Sequence, residues 1–139
     1  MTRVIRHIAA AALAASALVA GCGGGQTDSG LKEIQRVKSG DLDVVLLSED
    51  GALNQGRDAF VIEFRNADGT LQDAGTVTTS ANMAMPGMTM PGSVQVEPAG
   101  VPGRYRASGD FGMAGGWQMK VEWNGPAGRG SAVFDGDVQ

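Results

Sequence analysis

From residue 42 onward, short apolar runs alternate with turn residues, and their period is two, the period of strands rather than of helices. The clearest stretch is Trp117, Met119, Val121 and Trp123 alternating with Gln118, Lys120 and Glu122, which predicts a strand with one buried face. Phe60, Ile62 and Phe64 alternate in the same way with Val61, Glu63 and Arg65, and Tyr105 and Ala107 with Arg104 and Arg106. Residues 42–47 form an apolar run closed by Glu49-Asp50-Gly51. Residues 76–80 are rich in β-branched side chains, Val94 and Val96 mark a further short strand, and residues 131–134 a last one. Asp68-Gly69 and Asn124-Gly125-Pro126 supply turn chemistry between runs. About seven strands at this spacing predict an all-β domain, an immunoglobulin-like antiparallel β-sandwich. A small barrel has the same periodicity.

The first 41 residues follow other rules. Arg3 and Arg6 precede an apolar run of 13 residues, 8–20. A membrane-spanning helix needs about 20, so the run is too short to span and suits an export signal over residues 1–21. It closes on Leu18-Val19-Ala20-Gly21-Cys22, which resembles a bacterial lipobox and makes Cys22 the expected lipidation site and mature N-terminus. A plain secretory signal that abuts a cysteine is the other reading. Residues 22–41 are glycine-rich and polar and are expected to act as a flexible tether, with a mean reach of roughly 20–25 Å. Leu31, Ile34 and Val37 within it have the spacing of one helical turn. The folded domain is expected over residues 42–139. The expected location is the cell envelope: lipid-anchored and periplasm-facing, on the inner or outer membrane. Gly23 after the cysteine is compatible with outer-membrane sorting.

Charge and composition remove whole classes of function. The chain has 11 basic and 15 acidic residues, and without Arg3 and Arg6 the balance is 9 − 15 = −6. No basic stripe exists for nucleic acid. The single histidine, His7, lies in the signal, so the exported chain has no imidazole for a catalytic triad, a zinc site or a haem. The single cysteine permits no disulfide within the chain. No pair of carboxylates has a spacing suited to acid–base work, and the chain is not expected to be an enzyme.

One motif stands out. Met83-Ala84-Met85-Pro86-Gly87 and Met88-Thr89-Met90-Pro91-Gly92 form a tandem repeat, and four of the six methionines after Met1 fall within it. Thioethers are soft, uncharged ligands that suit Cu(I), or its mimic Ag(I), better than Zn²⁺, Mg²⁺ or Ca²⁺. They do not titrate and do not form disulfides, an advantage in an oxidising compartment. In an extended segment Met83 and Met85 project to one side, as do Met88 and Met90, and the Pro-Gly pairs favour turns between and after them. The candidate ligands are therefore Met83, Met85, Met88 and Met90, in a loop outside the packed core. Met113, in Gly112-Met113-Ala114-Gly115-Gly116, is balanced between auxiliary ligand and packing residue. Met119 belongs to the core by its alternation. Trp117 reads as a buried anchor, with a cation–π cap on a metal as its weaker role. Against the metal stands a non-metal reading, in which the same methionines are an apolar docking surface for an envelope complex.

Four pieces of sequence carry a resemblance: Asp73-Ala74-Gly75-Thr76-Val77-Thr78, Met85-Pro86-Gly87-Met88, Pro102-Gly103-Arg104-Tyr105 and Phe111-Gly112-Met113-Ala114-Gly115-Gly116-Trp117. In order and spacing they resemble a YtkA-like domain, which is also the domain of FixH-family proteins. The resemblance implies an immunoglobulin-like sandwich, exported and membrane-tethered, found with copper or heavy-metal handling systems. It makes copper transport, efflux or oxidase-assembly proteins the expected partners. FixH proteins carry a transmembrane anchor where this chain has a lipobox. The family's Met-Pro-x-Met element falls on Met85, Pro86, Gly87 and Met88, and Met83 and Met90 extend it. Pro86-Gly87-Met88-Thr89-Met90 is also similar to the Met pair of the Cu(I)/Ag(I) chaperone CusF, a shared ligand solution that implies nothing about the fold.

Overall fold

A computed structural model describes residues 30–139, and the signal and Cys22 lie outside the described residues. Eight strands follow one another with no helix between them: β1 Lys32–Ser39, β2 Leu42–Ser48, β3 Gly56–Arg65, β4 Thr76–Met85, β5 Met88–Pro98, β6 Arg104–Phe111, β7 Gly115–Gly125 and β8 Gly128–Val138. All pairings between these strands are antiparallel, in the order β1-β2-β3-β6-β5-β4-β7-β8. The predicted all-β antiparallel sandwich is correct, with eight strands instead of about seven.

Two layers arise because β5 belongs to both. Its first half pairs with β4, from Met85↔Met88 to Ala81↔Gly92, and its second half pairs with β6, from Ser93↔Asp110 to Pro98↔Tyr105. The change of partner falls at Pro91-Gly92. Proline cannot donate to a ladder and glycine tolerates the bend, so this dipeptide suits a strand that leaves one sheet for the other. At the opposite seam β1 meets β8, where the Ser39 hydroxyl donates to the Ser131 carbonyl at 2.9 Å. The sheet thus folds over on itself and nearly closes, so sandwich and barrel traits coexist.

The period-two positions fill the space between the layers. Phe60, Ile62, Phe64, Tyr105, Trp117, Met119, Val121 and Trp123 are buried, as the alternation predicts, and Val44, Leu46, Phe111 and Phe134 are buried with them. Phe64 meets Tyr105 and Trp123 edge-on at centroid distances of 5.5 and 5.2 Å. Nearer the other end Phe111 meets Trp117 at 5.3 Å. Buried aromatic pairs of this geometry add about 0.5–1.5 kcal/mol each beyond their area. On the outer face of the first layer Glu63 is also buried, and its carboxylate accepts from both Arg65 and Arg104. A buried carboxylate needs such partners, because an unpaired charge there would be strongly destabilising.

One sequence expectation is corrected. Residues 22–41 are not tether throughout: Lys32–Ser39 is a strand paired along β2, from Lys32↔Ser48 to Ser39↔Leu42. The helical spacing of Leu31, Ile34 and Val37 has a different cause. The register slips between Glu33 and Gln35, so Ile34 is the extra residue of a β-bulge. A bulge shifts side-chain parity by one, and an interval of two becomes an interval of three.

Candidate metal centre at the methionine hairpin

The Met repeat is a β-hairpin, not a loop. Pro86-Gly87 is its two-residue turn, with Gly87 at φ 79°. Proline followed by a positive-φ glycine is the residue pair of a type II turn. Across it Met85 is paired with Met88, and Met83 with Met90. Directly opposed residues in an antiparallel pair share a face, with β-carbons about 4.5–5.5 Å apart. Residues two apart on a strand share a face as well. All four thioethers therefore lie on one side of one hairpin. Ala84 and Thr89, the opposed pair on the other side, are exposed.

The second Pro-Gly is not a turn. Pro91 lies within β5, opposite Asn82, at the point where the strand changes layers. The expectation of two turns gathering two loops is thus replaced by one turn and one ladder. Both methionine pairs still share one face of the hairpin.

Burial falls steadily along the methionine face. Ladder pairing of β4 with β7 ends at Asn82↔Gln118, and that of β5 with β6 begins only at Ser93↔Asp110. The tip beyond those points overhangs the body. Met83, nearest the body, is 6% exposed and belongs to the core. Met85 and Met90 are half-buried against the core. Met88, at the tip, is 62% exposed. The placement of Met83 departs from the sequence reading, which held all four outside a packed core. Its position on the inward face of β4, next to Ala81, draws it in.

The loop between β6 and β7 faces this overhang. A β-carbon at Gly112 would sit 3.7 Å from the Met90 sulfur, and one at Gly115 only 2.7 Å from the Met83 methyl. Gly115 also has φ 131°, a backbone that other residues rarely adopt. The glycines let the loop come close to the thioethers, and they carry Met113, 36% exposed, on the same loop. The loop is held from behind. The Trp117 indole N–H donates to the Met113 carbonyl at 2.9 Å, and the Gln55 amide donates to the Gly112 carbonyl at 3.3 Å. Trp117 is buried, and its ring lies under Gly92, where a β-carbon would meet it at 2.7 Å. Its place is that of the anchor the alternation predicts. The sequence left Met113 open between two roles, and missed that the Trp117 side chain fixes its backbone.

No titratable side chain belongs to this methionine set. Among the described residues no group of three or more His, Cys, Asp or Glu side chains is arranged to hold a metal ion. An open groove of about 1140 Å³ on the outer face of β3 and β6, lined by Leu31, Ala59, Val61, Gln95, Arg106 and Ser108 among others, contains no methionine. Among the described residues no helix is long and apolar enough to cross a membrane. Cys22, the expected lipid site, is outside the described residues.

Neither a curated protein nor a solved structure matches this chain. The YtkA-like family matches it over residues 36–122, a span that runs from β1 through the methionine hairpin and the Met113 loop into β7. With more than half of its length matched, the chain belongs to the YtkA-like family.

Proposed function

We propose that the protein is a membrane-anchored envelope lipoprotein that binds Cu(I), or Ag(I), at its methionine hairpin and buffers it or hands it to a partner. Met85, Met88 and Met90 are the exchange ligands, Met113 adds a fourth sulfur from the facing loop, and Met83 supports them from the core. The observation that carries the reading is the pairing of Met83 with Met90 and Met85 with Met88, which lines four thioethers along one face. A soft monovalent ion prefers such donors over the carboxylates abundant elsewhere in the chain. The exposure of Met88 gives a partner access for ligand exchange. Cys22 holds the lipid, and the partner is a copper transport, efflux or oxidase-assembly protein; no catalytic step and no nucleic acid enter.

The test is a Cu(I) titration against a competing chelator under reducing, anaerobic conditions. The wild-type chain should withdraw Cu(I) from the chelator, and the chain with Met85, Met88 and Met90 all changed to Leu should not. Failure of the wild type to compete would leave the face as an apolar docking surface without metal.

A further inference from the structure

We propose that Met88 and Met113 form a modification site that accepts oxygen from a small oxidant of the peroxide class, and that their oxidation turns the soft apolar face at the methionine hairpin into a polar one. The oxidation stands on exposure and packing alone. Its effect on metal rests on the Cu(I) reading and extends it by naming what regulates the site. The first ground is the distribution of oxidisable side chains. The described residues contain no cysteine to compete for an oxidant. Trp117, Trp123, Tyr105, Met83 and Met119 are all buried, and Met85 and Met90 are half-buried. Met88, at 62%, and Met113, at 36%, are exposed, while the other exposed large apolar side chains, Val101 and Val133, carry no sulfur. The accessible thioethers therefore sit on the hairpin tip and on the loop that faces it.

The second ground is what an added oxygen costs at each position. A sulfoxide is polar where the thioether was apolar, and its oxygen needs hydrogen bonds. Met88 lies beyond the last pairing of β4 with β7 and of β5 with β6, and solvent supplies those bonds there. At Met113 the side chain is exposed while the backbone carbonyl is held by the Trp117 indole, so the loop keeps its seat. At Met83 the oxygen would be buried beside Gly115, where a β-carbon would already lie 2.7 Å from the methyl. The fold thus shields the methionine that cannot accept oxygen and offers the two that can.

In the step itself the thioether sulfur attacks one oxygen of hydrogen peroxide and the O–O bond breaks. A sulfoxide and water form; the sulfur gives up two electrons and the peroxide takes them. Sulfoxide reductases reverse the change, drawing on a dithiol that becomes a disulfide and releasing the oxygen as water. A sulfoxide presents a hard oxygen where a soft sulfur stood, so a soft ion loses its outermost donors first.

The experiment treats the full-length, metal-free chain with hydrogen peroxide and follows oxygen addition at each methionine by peptide mass spectrometry, beside the same chain unfolded in urea. In the folded chain Met88 and Met113 should react at close to their unfolded rates, and Met83 and Met119 several-fold more slowly. Stopped when Met88 and Met113 alone are modified, the chain should keep its urea midpoint and regain both thioethers on treatment with sulfoxide reductases and dithiothreitol. Protection of Met88 or Met113, oxidation of Met83 as fast as Met88, or unfolding once the two are modified would overturn the proposal. A Cu(I) titration then separates the two readings. Uptake by the untreated chain that falls several-fold after modification supports the regulatory effect, and equal uptake before and after overturns it. An untreated chain that takes no Cu(I) refutes the metal reading, and the oxidation rates still decide the modification site.

Discussion

Met83 and Met88 stand on the same face of the same hairpin, yet the structure gives them opposite weights. Met83 is 6% exposed, within a cluster that includes Ala81, Phe111 and Trp117. Truncating a buried Met to Ala costs about 2–5 kcal/mol, the larger values arising where the surroundings cannot settle into the cavity. Here the Met83 methyl faces Gly115, on a loop able to move inward, which places Met83→Ala near the lower end, about 2–3 kcal/mol. A domain of this size is stable by about 5–15 kcal/mol, so the loss is a large fraction. With a urea dependence of about 1–3 kcal/mol per molar, the midpoint should fall by roughly 1–2 M. Met88 is 62% exposed, and Met88→Ala should stay within about 0.5 kcal/mol of wild type. The assay is equilibrium urea unfolding followed by the fluorescence of Trp117 and Trp123, both buried. Copper should reverse the order. Met88→Leu should weaken Cu(I) binding by about tenfold or more, equivalent to about 1.4 kcal/mol, while Met83→Leu changes it by much less. Equal stability losses at the two positions, or a Cu(I) loss confined to Met83→Leu, would refute the division between core and ligand methionines.

Other outcomes follow from particular contacts. Trp117→Phe removes the donor to the Met113 carbonyl and part of a buried ring; it should cost about 2 kcal/mol in urea unfolding and raise hydrogen exchange at residues 112–115. Glu63→Ala leaves Arg65 and Arg104 without their shared carboxylate and should cost about 3 kcal/mol by the same assay, with no effect on Cu(I) binding. The Asn54 amide, the Ser48 hydroxyl and the Ala52 N–H all donate to Asp50 and hold its carboxyl down at about 2. A depressed carboxyl contributes its stabilisation above its unfolded value of about 3.8 and loses it as pH falls toward 2. Amide exchange in residues 48–54 should therefore rise between about pH 4 and 2, and Asp50→Asn should flatten that dependence.

What the sequence discloses depends on how each strand is buried. β3, β6 and β7 each put one face into the core, and their alternation places Phe60, Tyr105 and Trp123 correctly. β1 was illegible for two reasons. It is a charged edge strand with few apolar positions, a composition that protects sheet edges and that also reads as linker. Its bulge at Ile34 then breaks the period that would have disclosed it. At the candidate site the clustering of methionines was legible and the geometry was not. Two identical Pro-Gly pairs look like two turns, and only long-range pairing with β4 and β6 decides that one is a turn and the other a strand segment. Likewise, nothing local in Gly112-Met113-Ala114-Gly115 discloses that the loop packs under the hairpin, because the contact joins segments more than 20 residues apart.

The most direct measurement is copper K-edge X-ray absorption on the loaded full-length chain, beside the chain in which Met85, Met88 and Met90 are Leu. The account predicts a Cu(I) edge and a first shell fitted by sulfur alone in the wild type, and loss of that shell in the variant. A first shell of nitrogen or oxygen, or a sulfur shell that persists unchanged in the variant, would contradict it.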